Sequence, residues 1–183
     1  MVSRATYDMR RATVSKRRCR WAETETLLAA YHDREYGVAR RWTDRGCFEL
    51  LSLELFQAGL SWLIVLRKRE AFRRAFHRFD LRQVARMTES DVSRLMQDAS
   101  IIRNRLKILA TIDNARRVLL IQQEYGSFRR WLAQVDDGGP AQTLKLFRST
   151  FRFMGPEIIN EFLMCIGKRP VKHDPHCWMV AQS

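Results

Sequence analysis

The chain has 183 residues, with Lys+Arg 33 against Asp+Glu 20, and the formal net charge of +13 favours a polyanionic partner. A hydrophobic content of 46% excludes a disordered basic tail, and this length can bury one core of ordinary size without disulfide staples. Gly 8 and Pro 4 together fall well below the usual combined share of about 12%, which argues against a turn-rich all-β fold.

Residues 1–18 carry Arg4, Arg10, Arg11, Lys16, Arg17 and Arg18 against Asp8 alone. They read as a basic, disordered leader, with a DNA-contacting arm or an organellar transit peptide as the other readings, ahead of a single domain over 19–183. The first predicted helix covers Glu23 to Tyr36 and stops at Gly37. The second opens at Thr43 or Asp44, runs through Phe48, Leu51 and Leu55, and ends near Gly59. Ser61 is placed to cap a third, Trp62 to Phe76, with Arg67, Lys68, Arg69, Arg73 and Arg74 as a basic outer face. Asp80 caps a short helix through Met87, and Thr88 with Asp91 forms a capping box opening Glu89 to Asp98. A tight turn at 99–101 leads into a helix from Ile102 to Tyr125, which Gly126 stops. Ser127 caps Phe128 to Val135, residues 136–140 read as a loop, and Gly155 and Pro156 introduce a last apolar helix to Ile166. The fold class is all-α.

Four cysteines, Cys19, Cys47, Cys165 and Cys177, are too few for a disulfide scaffold, and a reducing, intracellular setting follows. No apolar segment of signal type follows the start. The stretch Leu50 to Leu66 is interrupted by Ser52, Glu54, Gln57, Gly59 and Ser61 and falls short of the ~20 residues of a spanning helix, so it reads as core.

Three constellations can carry chemistry. The segment LMQDASIIRNRLKI, 95–108, is helix, turn, helix, with Arg103, Arg105 and Lys107 past the turn. It can direct backbone N–H groups and cations at a phosphate, or it can be an ordinary helical hairpin with a wet basic face. Cys19 and His32 near the start, with His173 and Cys177 near the end, suit a tetrahedral zinc that leaves no open position and is therefore structural. His176 is the competing imidazole, and the spacing is not that of a zinc finger. Glu54 is the only charged residue between Glu49 and Arg67. A carboxylate on an apolar helix is costly unless paired, so it faces either a cation from elsewhere in the fold or a ligand that brings one. Trp21, Tyr31, Tyr36 and Trp62 can build either core or a stacking pocket around it.

These residues resemble the DNA-3-methyladenine glycosylase I family. The motifs are CRW at 19–21, AYHDREYGV at 30–38, LELFQAGLSWLIVLRKRE at 53–70, LMQDASIIRNRLKI at 95–108 and FRFMGPEIINEFLMCIG at 151–167, followed by His173 and Cys177. The resemblance implies a helix-hairpin-helix glycosylase fold, one structural zinc held by Cys19, His32, His173 and Cys177, and a base pocket in which Glu54 and Tyr31 hydrogen-bond the extruded base beside Trp21, Tyr36 and Trp62. It implies DNA contact by Ser100, Arg103, Arg105 and Lys107, a monomer acting on alkylated double-stranded DNA, no membrane association and, in a bacterium, a cytoplasmic, nucleoid-associated location. The chain departs from the family pattern at Ser100, where Gly is usual, at Leu28 and Tyr36, where Tyr and Trp are common, and at Phe56, which replaces a small residue; the loop before Phe151 is shortened. The implied activity is monofunctional hydrolysis of the N-glycosidic bond of 3-methyladenine, initiating base excision repair, with Asp113 a solvated bystander. A glycosylase of altered lesion range, or a non-enzymatic zinc-containing protein that binds lesions, are the alternatives.

Overall fold

The computed structural model describes residues 16–38, 42–135 and 139–180. Among them there is no strand, in agreement with the all-α expectation. A 3-10 turn at Arg20–Ala22 precedes α1 (Thr26–Arg34), α2 (Asp44–Gln57) and α3 (Trp62–Ala75). A second 3-10 turn at His77–Phe79 leads to α4 (Leu81–Ala85), α5 (Glu89–Gln97), α6 (Arg105–Tyr125), α7 (Phe128–Gln134), α8 (Gly139–Thr150) and α9 (Pro156–Cys165). No helix of the described residues is long and apolar enough to cross a membrane.

The core is built around α2. Thr43 accepts the Gly46 N–H with its side chain, and Asp44 places a negative charge in the first turn, both of which favour the start. From Cys47 to Phe56 every residue is buried, because α3, α6, α7 and α9 cover the helix on several sides. Asp44 also ties α2 to α7: its carboxylate accepts from the backbone N–H of Phe128 at 2.8 Å and of Arg129 at 3.1 Å. Phe56 belongs to this core and not to a pocket: fully buried, it packs on Phe72 with ring centroids 4.5 Å apart.

Most of the expected start and stop signals act as read. Asp80 caps α4 through the Gln83 N–H, Asp91 accepts from Thr88 N–H at the head of α5, Ser127 caps α7, and Gly126 ends α6 in the left-handed region at φ 78°. Three differ. Ser61 precedes α3 without making a side-chain cap, and α1 ends at Arg34, with Gly37 instead marking a close approach where a Cβ would collide with Val171. The α6 start lies at Arg105 and not Ile102, because Asn104 accepts the Lys107 N–H at 3.1 Å. Residues 136–138 of the expected loop lie outside the described residues, but Gly139 and Pro140 already open α8, a helix the sequence pattern did not reveal. Proline is compatible with a first helical turn, whose N–H groups lack partners in any case.

Residues 1–15 of the expected leader lie outside the described residues. Residues 16–18 are engaged with the other end of the chain or with α1. Lys16 Nζ stands 4.0 Å from the centre of the Trp178 ring, the Arg17 carbonyl accepts the Trp178 N–H at 2.9 Å, and Arg18 pairs with Asp33 at 2.7 Å.

Candidate active site and metal cluster

The pocket forms where α1, α2, α3 and α9 converge. A cavity of about 250 Å³ is lined by Trp21 from the first 3-10 turn, Tyr31 from α1, Tyr36 after it, Glu54 and Gln57 from α2, Trp62 at the head of α3, and Glu161 and Cys165 from α9. The four expected aromatics therefore come together. Trp21 and Tyr36 meet edge-on at 5.2 Å, and Tyr31 lies 5.2 Å from Trp62. The Trp62 indole N–H is buried and has no hydrogen-bond partner, a donor that a folded protein ordinarily satisfies.

Glu54 is 3% exposed, and no basic side chain among the described residues pairs with it. Its contact is the Cys165 thiol, which donates to Oε1 across 3.9 Å while its sulfur lies 3.1 Å from the Tyr31 hydroxyl. Burial, together with the nearby Glu161 charge, pushes the Glu54 carboxyl up to about 8. Burial likewise raises Tyr31 and Cys165, so the group beside Glu54 is an un-ionised hydroxyl and thiol. Glu161, half-buried on α9, is also raised by burial. Glu161 and Cys165 are pocket residues that sequence reasoning missed. The signal available was the one that singled out Glu54, an acid within an apolar helix, here weakened by Glu157 one turn earlier.

A second, larger cavity of about 650 Å³ shares Glu54, Gln57 and Glu161 with the first and opens between the α2–α3 loop and the segment before α9, with Leu60, Arg148 and Phe153 in its wall.

The turn between α5 and α6 is exposed. Ser100 closes on Asp98, donating its N–H at 2.8 Å and its hydroxyl at 2.6 Å, and Lys68 holds the carbonyls of Ala99 and Ser100 from outside. Arg103 is exposed, and Arg105, also exposed, pairs with Glu89 at 2.7 Å. Lys107 corrects the expectation. It is 7% exposed, and its ammonium donates to the carbonyls of Phe56 at 3.0 Å and Ala58 at 2.7 Å, so it neutralises the C-terminal end of α2 and does not face a partner. The basic outer face expected on α3 is likewise largely spent within the fold, since Arg67, Arg69 and Arg73 each pair with a glutamate. Asp113, expected to be solvated, is partly buried between Arg117 at 2.9 Å and Arg152 at 3.1 Å.

Cys19, His32, His173 and Cys177 form one cluster whose ligand atoms all lie within 4.8 Å of one another. Cys19 Sγ is 3.3 Å from His173 Nδ1 and Cys177 Sγ is 3.4 Å from His32 Nε2, separations that suit the edges of a tetrahedron about a metal with bonds of about 2.0–2.3 Å. The surroundings fit a cation too. His32 directs its other ring nitrogen at Asp33 Oδ1, 3.0 Å away, which sets the ring orientation as a metal-bound histidine requires, and the Asp174 N–H points at the Cys19 sulfur. Burial and the adjacent Cys177 push the Cys19 thiol up to about 11, so a bound cation is what would let that sulfur ionise. His176 is not part of the cluster.

A family profile described as methyladenine glycosylase matches residues 21–146, which include Glu54, the four aromatics and the α5–α6 turn. The chain belongs to this family. DNA-3-methyladenine glycosylase 1 of Escherichia coli (strain K12) is 53% identical over 107 residues, 58% of this chain and 56% of that protein, so the chain spans about half the length of the curated relative it matches. Among solved structures, a crystal structure of 3-methyladenine DNA glycosylase I superposes with a TM-score of 0.81 at 36% identity, covering 88% of this chain and 98% of that one. The Staphylococcus aureus 3-methyladenine DNA glycosylase I, solved to explain 3-methyladenine recognition, gives 0.76 at 32% identity, covering 88% of this chain and 93% of that one.

Proposed function

We propose that this protein is a monofunctional DNA glycosylase that extrudes 3-methyladenine from alkylated double-stranded DNA and hydrolyses its N-glycosidic bond, opening base excision repair. The observation that carries the reading is Glu54, a carboxylate 3% exposed with no cation beside it, in a cavity walled by Trp21, Tyr31, Tyr36 and Trp62. Methylation at the ring nitrogen makes the nucleobase a cation. Entering the cavity, that base brings Glu54 the positive charge and hydrogen-bond donors the fold does not supply, while the aromatic faces attract the same charge. An unmodified adenine brings no charge, so the buried acid discriminates by chemistry more than by shape. The methylated base is already a good leaving group and needs no protonation, so the site's task is extraction, binding and access for water. No lysine among the described residues lines either cavity, and the proposed reaction is hydrolysis without a covalent enzyme–sugar intermediate.

The α5–α6 turn, with Ser100, Arg103 and Arg105 at the surface, is read as the helix-hairpin-helix contact to the DNA backbone. A zinc ion held by Cys19, His32, His173 and Cys177 would be structural, because four protein ligands leave no position for substrate or water; bound, it supplies a cross-link between chain ends and no chemistry. On this reading the protein is a monomer, one domain over 19–183 behind a basic leader, working in a bacterium at the cytoplasmic nucleoid.

The test is incubation with methylated duplex DNA while released bases are quantified. Release of 3-methyladenine is expected, and Glu54→Ala should slow it on the order of 100-fold, the worth of a charge-assisted hydrogen bond of about 2–3 kcal/mol. Undiminished release from that variant would remove Glu54 from its role. For the metal, native mass measurement should find one zinc, lost in Cys177→Ser together with roughly 10 °C of Tm; a native protein of metal-free mass would refute the ligand set.

A further inference from the structure

The two cavities share a wall of three residues, Glu54, Gln57 and Glu161. On the glycosylase reading the base occupies the aromatic cavity and its sugar the larger one, which sets the glycosidic bond at this shared wall. Of the three, Gln57 cannot take up a proton, and Glu54, 3% exposed, is assigned to the base. Glu161 remains. It is half-buried, within reach of solvent, and no described residue hydrogen-bonds or ion-pairs with its carboxylate. Arg148, which lines the larger cavity with it, donates to the Met154 carbonyl at 3.3 Å.

We propose that Glu161 is a second catalytic carboxylate of this site, which holds the attacking water against the sugar carbon and accepts its proton as the glycosidic bond breaks. The inference rests on the glycosylase reading above. In the step, the bond between the sugar carbon and the ring nitrogen breaks and its electron pair passes to the methylated base, which leaves neutral. The water oxygen bonds to the sugar carbon, one water proton goes to Glu161, and the product is an abasic site. No further reactant is needed.

The two acids are suited to different work. Glu54 is deeply buried and carries its proton until a cation arrives, whereas Glu161, half open to solvent, loses less hydration and keeps its proton-accepting form more readily. The charged and titratable groups that line the two cavities with Glu161 are Glu54 on α2, Tyr31 on α1, Tyr36 after it, Glu157 and Cys165 on its own helix, and Arg148 on α8. Tyr31, Tyr36 and Cys165 are raised by burial and stay neutral, and of the carboxylates only Glu54 and Glu161 line both cavities, so this pair shapes the acid side of the rate profile.

The experiment is single-turnover release of 3-methyladenine from methylated duplex DNA across pH 5–9, for wild type, Glu161→Gln and Glu161→Asp, beside binding of each to duplex DNA carrying a tetrahydrofuran abasic analogue. Glu161→Gln should slow release on the order of 100-fold and flatten the acid limb, with DNA binding unchanged, and Glu161→Asp should recover part of the rate. A Glu161→Gln rate within about two-fold of wild type with the acid limb intact, or a rate loss matched by an equal loss of DNA binding, overturns the inference. A wild type that releases no 3-methyladenine overturns the glycosylase reading, and this inference with it.

Discussion

Charge is handled in opposite ways in two neighbouring regions of this molecule. On α3 four of the five basic side chains are answered within the fold: Arg67 pairs with Glu25, Arg69 bridges Glu35 and Glu49, Arg73 joins Glu49 and Glu70, and Lys68 holds two carbonyls of the α5–α6 turn. In the pocket beside it, neither Glu54 nor Glu161 is ion-paired with a basic side chain of the described residues. Both regions are dense in charge, but only the second leaves a debt for a ligand to settle. On the function proposed above, the net charge of +13 suits a polyanionic partner and the unpaired acids suit the cationic group of the base.

The largest expected effect tests whether Glu54 is really unanswered. Its folded value stands near 8 against an ordinary 4.5 in the unfolded chain, so the folded state binds the extra proton between those values. Stability is then undiminished below about pH 4.5 and falls as pH rises towards 8, by on the order of 4–5 kcal/mol in total. Glu54→Gln removes the titration. Its melting temperature should match or exceed that of wild type near pH 5 and exceed it by roughly 10 °C at pH 8, the gap opening between the two. A gap that does not change with pH would mean that a counter-ion reaches Glu54 in solution and the contrast between the regions is lost.

The converse substitution strikes the paired region. Arg69 is 16% exposed and donates to Glu49 at 2.7 Å and to Glu35 at 2.8 Å. Its loss takes the guanidinium away from two partly buried carboxylates, while Arg73 stays on Glu49. Arg69→Met should lower stability by about 3 kcal/mol in urea unfolding, with little relief from added salt because the pairs are partly shielded. Wild-type stability in this variant would show that the α3 cations are ornamental to the fold and free to serve DNA.

How far each feature was legible in the sequence follows from how local its cause is. Helix ends set by a side chain three residues away, such as Asp80 on Gln83 or Ser127 on Arg130, were readable. So was Glu54, a single acid in a long apolar run. Glu161 escaped because Glu157 stands one turn before it, and two acids at that spacing look like a solvated helix face until α9 is seen to pack with one of them in the pocket. The α8 helix escaped because Gly139 and Pro140 are turn residues by composition and helix-opening residues only in context. The metal ligands are spread from 19 to 177, and their proximity depends on both ends of the described chain meeting at Arg17 and Trp178, which no local pattern encodes.

Lys107 and Arg103 provide the finest test, since both stood as DNA contacts and the fold separates them. Lys107 lies four residues after Arg103, near enough in sequence for both to be read as phosphate contacts, yet its ammonium is bonded to the carbonyls of Phe56 and Ala58 some fifty residues away in sequence, while Arg103 stays exposed. Arg103→Ala should weaken binding to duplex DNA of any sequence and reduce the salt slope of that binding by about one phosphate contact. Lys107→Met should leave the slope unchanged and cost about 1–2 kcal/mol of stability, because the two α2 carbonyls lose a charged donor. Titrations of DNA binding against salt concentration read the first quantity and urea unfolding the second. If Lys107→Met instead lowers the slope, the ammonium must leave α2 when DNA binds, and the hairpin region would join the pocket as a place where charge is held ready for the ligand.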